Sequence, residues 1–427
     1  MPSRLATFLA ALSPLPLLAG CTVPKEELVQ PPLVFQLGYA PGTRPDIYDP
    51  EIDVYFATTR VPDPEGPGGF GNDIDSVVRL GHATVWIGDE APWSPADVRT
   101  ATLDVDRENT PIFELGPVRA GDVMAELGER DWTVVEDSSS CNLANELRAA
   151  IAATPDKSLL VFVDGTKGNL YRTCALSAEA RHLLGRSMPV LTFAWPSHQN
   201  IFQYLFKEDV HRADEAGLPF AAVMDWASEH LGAERINVVS YSAGGRVAGI
   251  GLSHLRERHA ELEGDALRER LPLRTVVFAA ADEPVDRFIK EVPLIHDIAD
   301  LIVVTISKRD HAVRLSEVLI GEGQRIGRER WNGPSEAEMQ MLRELPHVEF
   351  VDVSYGREDR GFKIEGHHYW YRQPWVVSDV LMAVRTGLPG DERGLQPEAL
   401  PRVWALTAEY PDAVRDAADA FLPRQSD

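Results

Sequence analysis

The chain is poor in cysteine and has fewer positive than negative charges. Its three cysteines form no Cys-x-x-Cys pair and no cluster with histidine, so we expect no metal site. The 66 acidic residues outnumber the 42 basic ones, which gives a formal net charge of −24. Such a surface repels phosphate backbones, so we expect no nucleic-acid partner. The sequence also contains no internal repeat and no low-complexity tract.

The N-terminal apolar segment, residues 6–18, is short and is interrupted by two prolines. A membrane-spanning helix needs about 20 apolar residues, so this segment, with Arg4 before it, is typical of an export signal instead. It ends at Leu18-Ala19-Gly20-Cys21, which resembles a bacterial lipobox. The resemblance implies that residues 1–20 are a signal peptide and that Cys21 carries a diacylglycerol anchor.

The residue after Cys21 bears on the destination of the protein. This residue is Thr22 and not aspartate. By resemblance to the sorting rules of bacterial lipoproteins, it favours the outer membrane over retention in the inner membrane. We therefore expect a lipid-anchored protein of the cell envelope that faces the periplasm and contacts the membrane through Cys21. Residues 21–49 are rich in proline and polar side chains, a composition that predicts a flexible tether.

The two other cysteines are Cys141 and Cys174. In an oxidising compartment two cysteines can pair, and this bridge would contribute roughly 3–4 kcal/mol in the chain-entropy model. Two separate buried thiols are the alternative. The sequence leaves the disulfide open.

Apolar strands alternate with helical segments over residues 50–390. This alternation predicts an α/β domain with a mostly parallel central sheet and helices on both faces. Apolar or β-branched runs predict strands at residues 54–58, 83–87, 100–105, 159–163, 190–195, 236–239, 275–280, 301–306 and 348–353. Helical spacing or stop signals predict helices at residues 177–184, 220–231, 375–384 and one that ends at Leu255. Residues 391–427 are expected to form an acidic, helical C-terminal tail.

The run at residues 236–239 breaks abruptly into small residues around Ser242. This pattern is typical of a serine nucleophile at a strand-to-helix bend, where small side chains relieve the crowding between strand and helix. Ser240 stands where the G-x-S-x-G pattern has its first glycine, and Gly244 keeps the second. A buried strand followed by an ordinary glycine-rich turn is the alternative.

Two further residues follow the predicted strands at the same edge of the sheet. In parallel sheets the active groups lie beyond the C-terminal strand ends, and Asp310 and His367 each follow such an end. The chain order Ser242, Asp310, His367 is the order of the α/β-hydrolase triad. In that triad the imidazole takes the serine proton, and the carboxylate orients the imidazole.

Each of these assignments has a rival. Asp282, which also follows a predicted strand, is the alternative acid. His368 is the alternative base. Asp310 stands beside Lys308 and Arg309, so a surface ion pair or an Asx turn would also account for it.

An oxyanion hole needs two N–H donors. The backbone of Ala243, directly after the serine, is the first candidate. The second is Gly165 or Thr166, in the glycine-containing loop at residues 164–168, although a plain tight turn is an alternative. His198, which follows another predicted strand, is a candidate binding group.

Six short stretches of the chain together resemble those of a bacterial α/β-hydrolase-fold family of largely unassigned function. The resemblance covers roughly residues 51–385, implies no cofactor and no metal, and supports Ser242, Asp310 and His367 as the residues carried over. The stretches that carry it are Phe56 to Arg60, Val161 to Gly165, Phe193-Ala194-Trp195-Pro196-Ser197, Ser240 to Gly245, Ser307 to Ala312 and Gly366-His367-His368-Tyr369.

The chain departs from the family pattern close to the expected oxyanion hole. Asp164 stands where the family has histidine, and an acid there opposes a developing oxyanion. We therefore expect Asp164 to point away or to be paired, with Lys167 as the candidate partner. Further departures are Thr166 for tyrosine, Tyr241 for histidine, Ala243 for methionine and Gly245 for asparagine.

These features predict a serine hydrolase that acts on carboxylic esters or related acyl compounds of small size through an acyl-enzyme. Residues 199–216 and 313–346 are candidate lids. The first contains an aromatic patch suited to an apolar acyl chain, unless it packs against the body. The rival prediction is a catalytically weak or inactive envelope lipoprotein that binds a partner or acts as a scaffold; the sequence identifies no protein partner.

Overall fold

The structure, a computed structural model, describes residues 25–328, 334–355 and 367–425. The expected signal peptide, Cys21 and Gly366 lie outside the described residues. The strands are β1 Glu51–Pro62, β2 Phe70–Gly88, β3 Ile112–Leu127, β4 Trp132–Val134, β5 Ser158–Val163, β6 Val190–Phe193, β7 Arg235–Tyr241, β8 Leu273–Ala279, β9 Ala299–Ile306, β10 Val348–Asp352, β11 Gln396–Pro397 and β12 Val403–Ala405.

The helices alternate with these strands through most of the chain. They are α1 Leu33–Gln36, α2 Pro95–Leu103, α3 Asn142–Ala152, α4 Leu170–Leu183, α5 Ile201–Leu205, α6 Glu208–Glu215, α7 Gly217–His230, α8 Gly244–Arg258, α9 Gly264–Arg270, α10 Val285–Ile298, α11 His311–Leu319, α12 Glu336–Glu344, α13 Tyr369–Arg372, α14 Pro374–Thr386 and α15 Tyr410–Phe421. Short 3-10 turns lie at Pro67–Gly69 and Ser138–Ser140.

In the described residues, twelve strands form one sheet in the order β11-β12-β10-β9-β8-β7-β5-β6-β1-β2-β3-β4. The strands from β12 to β1 are parallel to their neighbours. The pairs β1–β2, β2–β3, β3–β4 and β11–β12 are antiparallel. The mostly parallel sheet predicted from the sequence is therefore confirmed.

Helices cover both faces of the sheet because side chains alternate along each strand. On β5, Leu159, Val161 and Val163 face one apolar cluster, whereas Leu160 and Phe162 face the other. Helices α3, α7, α8 and α10 pack on the first face, and α1, α4, α14 and α15 pack on the second. None of the helices in the described ranges is both long enough and apolar enough to cross a membrane.

The strand predicted at residues 100–105 is wrong, because the chain is helical there until Leu103. The helix begins with a strong start signal: Ser94 accepts a hydrogen bond from the backbone of Asp97, and Pro95 occupies the first turn. These N-terminal contacts outweigh the β-propensity of the threonines and valine on which the strand prediction relied.

The described part of the expected tether is packed against the domain. Val34 and Phe35 are buried, and the backbone N–H of Val34 donates to Ser378 Oγ at 3.1 Å. Glu26 forms an ion pair with Arg172 at 2.9 Å. From Lys25 onward the segment therefore differs from a flexible tether, because its scattered apolar residues fill the sheet face that carries α14.

The C-terminal segment also packs on the domain. Its strand β12 extends the sheet beside β10, and α15 packs against α14 and α1. Val414 and Ala418 are buried, whereas Phe421 is half exposed. The apolar spacing that predicts a helix here thus corresponds to a helix that covers the fold.

Candidate active site

Ser242 lies at the turn between β7 and α8 with a φ of 54°. This left-handed conformation is unusual for a serine and is typical of a strained strand-to-helix bend. Gly244 is required here, because a Cβ atom at this position would lie 2.4 Å from the Val163 carbonyl oxygen. Ser240 replaces the other glycine of the motif without an unpaired hydroxyl, since its Oγ donates to the Val277 carbonyl at 3.0 Å.

The structure brings Ser242, His367 and Asp310 together. His367 Nε2 lies 2.8 Å from Ser242 Oγ, and His367 Nδ1 lies 2.8 Å from Asp310 Oδ2. All three residues are buried. This geometry allows the imidazole to take the serine proton while the carboxylate fixes the ring.

Asp310 uses both of its carboxylate oxygens. While Oδ2 contacts His367, Oδ1 accepts hydrogen bonds from the backbone N–H groups of Ala312 and Val313, at 3.1 and 3.0 Å. The Asx-type turn considered as an alternative is therefore present, and it holds the carboxylate beside the histidine. Lys308, one of the two candidate partners for a surface ion pair, has its Nζ 2.9 Å from Asp352 Oδ2.

The alternative acid, Asp282, lies away from the histidine. Its carboxylate is buried and accepts hydrogen bonds from Tyr204, from Ser316 at 2.8 Å and from Arg325 at 2.8 Å. These partners come from both candidate lid segments. Asp282 therefore links the two segments beneath the nucleophile turn, where its N–H donates to the Ser242 carbonyl at 3.0 Å.

The alternative base, His368, contacts Tyr241 rather than Ser242. Its Nδ1 lies 2.8 Å from the Tyr241 hydroxyl. Burial, with help from the neighbouring His367, lowers the pKa of His368 to about 3. This side chain is consequently neutral at ordinary pH and supports the wall of the site.

The loop at residues 164–168 passes beside the nucleophile. A Cβ atom on Gly165 would lie 2.9 Å from Ser242 Cβ, so only glycine allows this approach. The Gly165 N–H, however, donates to Asp164 Oδ1 at 2.7 Å and is occupied. Within the described part of the chain, the N–H groups of Ala243 and Thr166 have no acceptor, so Thr166 is the better second donor.

Asp164 is paired, but its partner is Arg172 and not Lys167, the candidate expected from the sequence. Its Oδ2 lies 3.0 Å from Arg172 Nη1, and Arg172 also pairs with Glu26 at 2.9 Å. Burial raises the pKa of Asp164, and the Arg172 guanidinium opposes that rise. The acid beside the expected oxyanion position therefore has its own counter-charge.

Residues of two family-like motifs hold this loop in place. Trp195 Nε1 donates to the Asp164 carbonyl at 2.8 Å, and Ser197 Oγ accepts the Gly168 N–H at 3.1 Å. Arg60, buried at the end of β1, donates to the Gly168 carbonyl at 2.8 Å. The Trp-Pro-Ser stretch and the Arg60 strand thus share one physical role, which is to shape the loop beside Ser242.

The first candidate lid contains α5 and α6. Phe202 and Phe206 are 54% and 79% exposed, so they do not pack against the body, whereas Tyr204 is buried. His198, predicted as a binding group, directs Nδ1 to Asp209 Oδ1 at 2.7 Å. It therefore lies at the base of the lid and supports a buried carboxylate.

Cys141 and Cys174 are free thiols and form no disulfide. Cys141 packs against the apolar cluster on one face of the sheet, and Cys174 lies in the cluster on the opposite face. The sheet separates the two sulfur atoms, so of the two alternatives that the sequence left open, the structure has separate thiols and no bridge. In the ranges that the structure describes, no group of three histidine, cysteine or acidic side chains is arranged to hold a metal ion.

A mostly parallel sheet with a serine at its strand-to-helix turn defines the α/β-hydrolase class. The chain matches a family model over residues 139–385, more than half of its length. The chain belongs to this family, which is described as alpha/beta hydrolase of unknown function (DUF900), and the resemblance inferred from the motifs is confirmed. No curated protein matches the chain.

Sequence reasoning missed Arg172 and Asp209 and gave Arg60 no role. Arg172 lies in the first turn of α4, which begins after the loop that contains Asp164, in a stretch that carries no motif. Asp209 contacts Thr166 Oγ1 at 2.8 Å across 43 positions of sequence. Among the residues around the loop, only Trp195 and Ser197 carried a usable sequence signal. That signal was their position close to the end of a predicted strand.

Proposed function

We propose that the protein is a serine hydrolase of carboxylic esters or related acyl compounds. The observation that carries this proposal is the hydrogen-bonded chain from Ser242 through His367 to Asp310, with 2.8 Å at each step. A serine hydroxyl is a weak nucleophile until a base takes its proton, and this arrangement supplies the base and its orienting carboxylate.

The reaction proceeds in two stages. Ser242 Oγ attacks the acyl carbon while His367 takes its proton, and the N–H groups of Ala243 and Thr166 stabilise the oxyanion. His367 then gives the proton to the leaving group, and the acyl-enzyme forms. In the second stage His367 takes a proton from a water molecule, whose oxygen attacks the acyl carbon. His367 then gives that proton to Ser242 Oγ as the bond between Oγ and the acyl carbon breaks, which releases the carboxylic acid.

Two further features bear on the substrate. Phe202 and Phe206 leave apolar surface exposed on the segment that begins beside the site, which favours an apolar acyl chain. The ion pair with Arg172 offsets the charge of Asp164, the acid in the loop beside Ser242. The first feature supports an apolar acyl chain, and the second supports formation of an oxyanion beside this loop.

We also propose that the enzyme works in the cell envelope, anchored by lipid at Cys21 and facing the periplasm. The support for this location is the lipobox-like Leu18-Ala19-Gly20-Cys21 and the Thr22 that follows it.

The test is hydrolysis of p-nitrophenyl esters of graded chain length by the wild type and by Ser242→Ala. Loss of the nucleophile should lower kcat by about 10⁴-fold or more. Ser253→Ala is the matched control, because Ser253 is also buried and its hydroxyl bonds only a helix carbonyl, that of Gly249, at 2.9 Å. Equal rates for wild type and Ser242→Ala would contradict the proposal.

A further inference from the structure

Asp209 is a fully buried carboxylate at the start of α6. Its Oδ2 accepts a hydrogen bond from Thr166 Oγ1 at 2.8 Å. Its two oxygens also accept the backbone N–H of His198, at 3.0 and 3.1 Å, and Oδ1 contacts His198 Nδ1 at 2.7 Å. One acid therefore joins the lid segment to the loop that passes beside Ser242.

Hydrogen-bond donors and a buried cation surround the Asp209 carboxylate. The guanidinium group of Arg60, which is itself buried, lies close enough to Asp209 for an electrostatic interaction. His198 also holds the carboxylate, through both its backbone and its ring. A buried carboxylate held by this many donors has a defined orientation.

The loop needs such a support because of its own conformation. Lys167, next to Thr166, has a φ of 67°, which side chains other than glycine adopt only when their surroundings hold them. Thr166 also offers the N–H that has no acceptor among the described residues. The direction of that N–H depends on how the Thr166 side chain is fixed.

We propose that Asp209, oriented by His198, is a positioning residue that aims the Thr166 N–H at the oxyanion. This inference rests on the proposed hydrolase function and adds a specific cause for the shape of the oxyanion hole. Asp209 acts through Thr166 and does not touch the substrate. The hydroxyl of Thr166, in the place where the family pattern has tyrosine, provides the contact.

The proposal has a kinetic signature. An oxyanion exists in the transition state but not in the bound ester, so a misaligned donor lowers kcat and leaves KM nearly unchanged. Complete removal of one donor costs about 10²–10³-fold in other acyl-transfer enzymes. Loss of alignment should cost less, about 10- to 100-fold in kcat.

Two variants test this with p-nitrophenyl butyrate as the probe. Asp209→Asn keeps the shape of the side chain, but its amide nitrogen cannot accept a hydrogen bond. Either Thr166 or His198 therefore loses its acceptor. Thr166→Val removes the hydroxyl and keeps the backbone N–H. Each should lower kcat about 10- to 100-fold at constant KM, and the double variant should fall no further than either single variant.

Asp225→Asn is the matched control. Asp225 is another buried carboxylate with a histidine partner, His259 at 2.9 Å, and a second donor, Trp132 at 3.0 Å. It lies on α7, outside the site. Asp209→Asn and Asp225→Asn should lose similar stability to urea, but only Asp209→Asn should lose kcat.

The outcomes separate this inference from the proposed function. An inactive wild type would overturn both. An active wild type with unchanged kcat in Asp209→Asn and Thr166→Val would overturn the positioning role and leave the hydrolase function intact. Multiplicative losses in the double variant would also overturn it, because they would mean that Asp209 does not act through Thr166.

Discussion

Arg172 Nη1 lies 3.0 Å from Asp164 Oδ2, directly beside the loop that passes Ser242. The acid that replaces a histidine of the family pattern is thus accompanied by a buried cation. Glu26, from the N-terminal segment, shares that cation at 2.9 Å. The altered loop is consequently part of a charge cluster, formed by Asp164, Arg172 and Glu26, that involves a part of the chain expected to be a tether.

Loss of the cation should destabilise the fold. In Arg172→Met, Asp164 stays buried without a positively charged partner, so we expect a loss of about 3–5 kcal/mol in the free energy of unfolding, measured by urea denaturation. Arg119→Gln, which breaks the exposed pair with Glu146, should cost less than about 1 kcal/mol. Similar losses in both variants would contradict the assigned role of Arg172.

Two substitutions of Asp310 should separate its two roles. Asp310→Asn retains an oxygen that can cap α11 but loses the charge that orients His367, so kcat should fall by up to about 10⁴-fold while stability changes little. Asp310→Ala loses the cap as well, so its free energy of unfolding should be about 1 kcal/mol lower than that of the wild type. Ester hydrolysis and urea midpoints measure the two effects, and full activity in Asp310→Asn would contradict the assignment.

Glu179 should make stability depend on pH. Burial raises its pKa from 4.5 to about 8, partly offset by the Val29 N–H, which donates to it at 2.9 Å. Between these two values the folded protein retains a proton that the unfolded chain releases. The contribution of Glu179 to stability is therefore fully present below about pH 4.5 and is lost as pH rises through about 8.

Glu179→Gln removes this dependence, because the amide stays neutral. The stability of the variant relative to wild type should therefore increase from pH 5 to pH 8, by up to about 1.4 kcal/mol per pH unit. Urea midpoints of both proteins across this range provide the measurement. A difference that does not vary with pH would mean that Glu179 is ionised in the folded protein.

The two thiols of the domain should react unequally. Cys174 is fully buried, and burial raises its pKa well above its usual value, whereas Cys141 is half-buried. Iodoacetamide should label Cys141 slowly in the native protein and label Cys174 only in urea. Reduction before mass analysis should not change the mass. A gain of about 2 Da on reduction would contradict the separation of the two sulfurs by the sheet.

The proposed lipid anchor predicts a change of fractionation. Cys21→Ala removes the only sulfur in the lipobox-like motif, so the variant should move from the membrane fraction to the soluble fraction. The wild type should incorporate labelled fatty acid, and the variant should not. A variant that remains in the membrane fraction would require another form of attachment.

The alternation of strands with helices and the positions just beyond several strand ends could be read from the sequence. Apolar runs locate β5, β7, β9 and β10, and parallel strands bring their C-terminal ends to one edge. This is why Ser242, Asp310 and His367, although far apart in sequence, meet at one point. The packing of the N-terminal segment was not predictable, because isolated apolar residues between prolines carry no periodic signal.

Other features lacked a local signal. β3 was not predicted, because few of its side chains are buried and two glycines and a proline interrupt it. The contact of Asp209 with Thr166 and the pairing of Arg172 with Asp164 depend on how helices fold back over the strand ends. Such contacts follow from tertiary packing and not from spacing along the chain.

The most direct test of the account is to label the protein with a fluorophosphonate and to map the adduct by mass spectrometry, beside Ser242→Ala. Such probes react with a serine that a neighbouring base has activated. We predict one adduct, on Ser242, that is absent from the variant. A folded wild type that takes up no probe, or an adduct on another residue, would contradict the claim that Ser242 is the nucleophile.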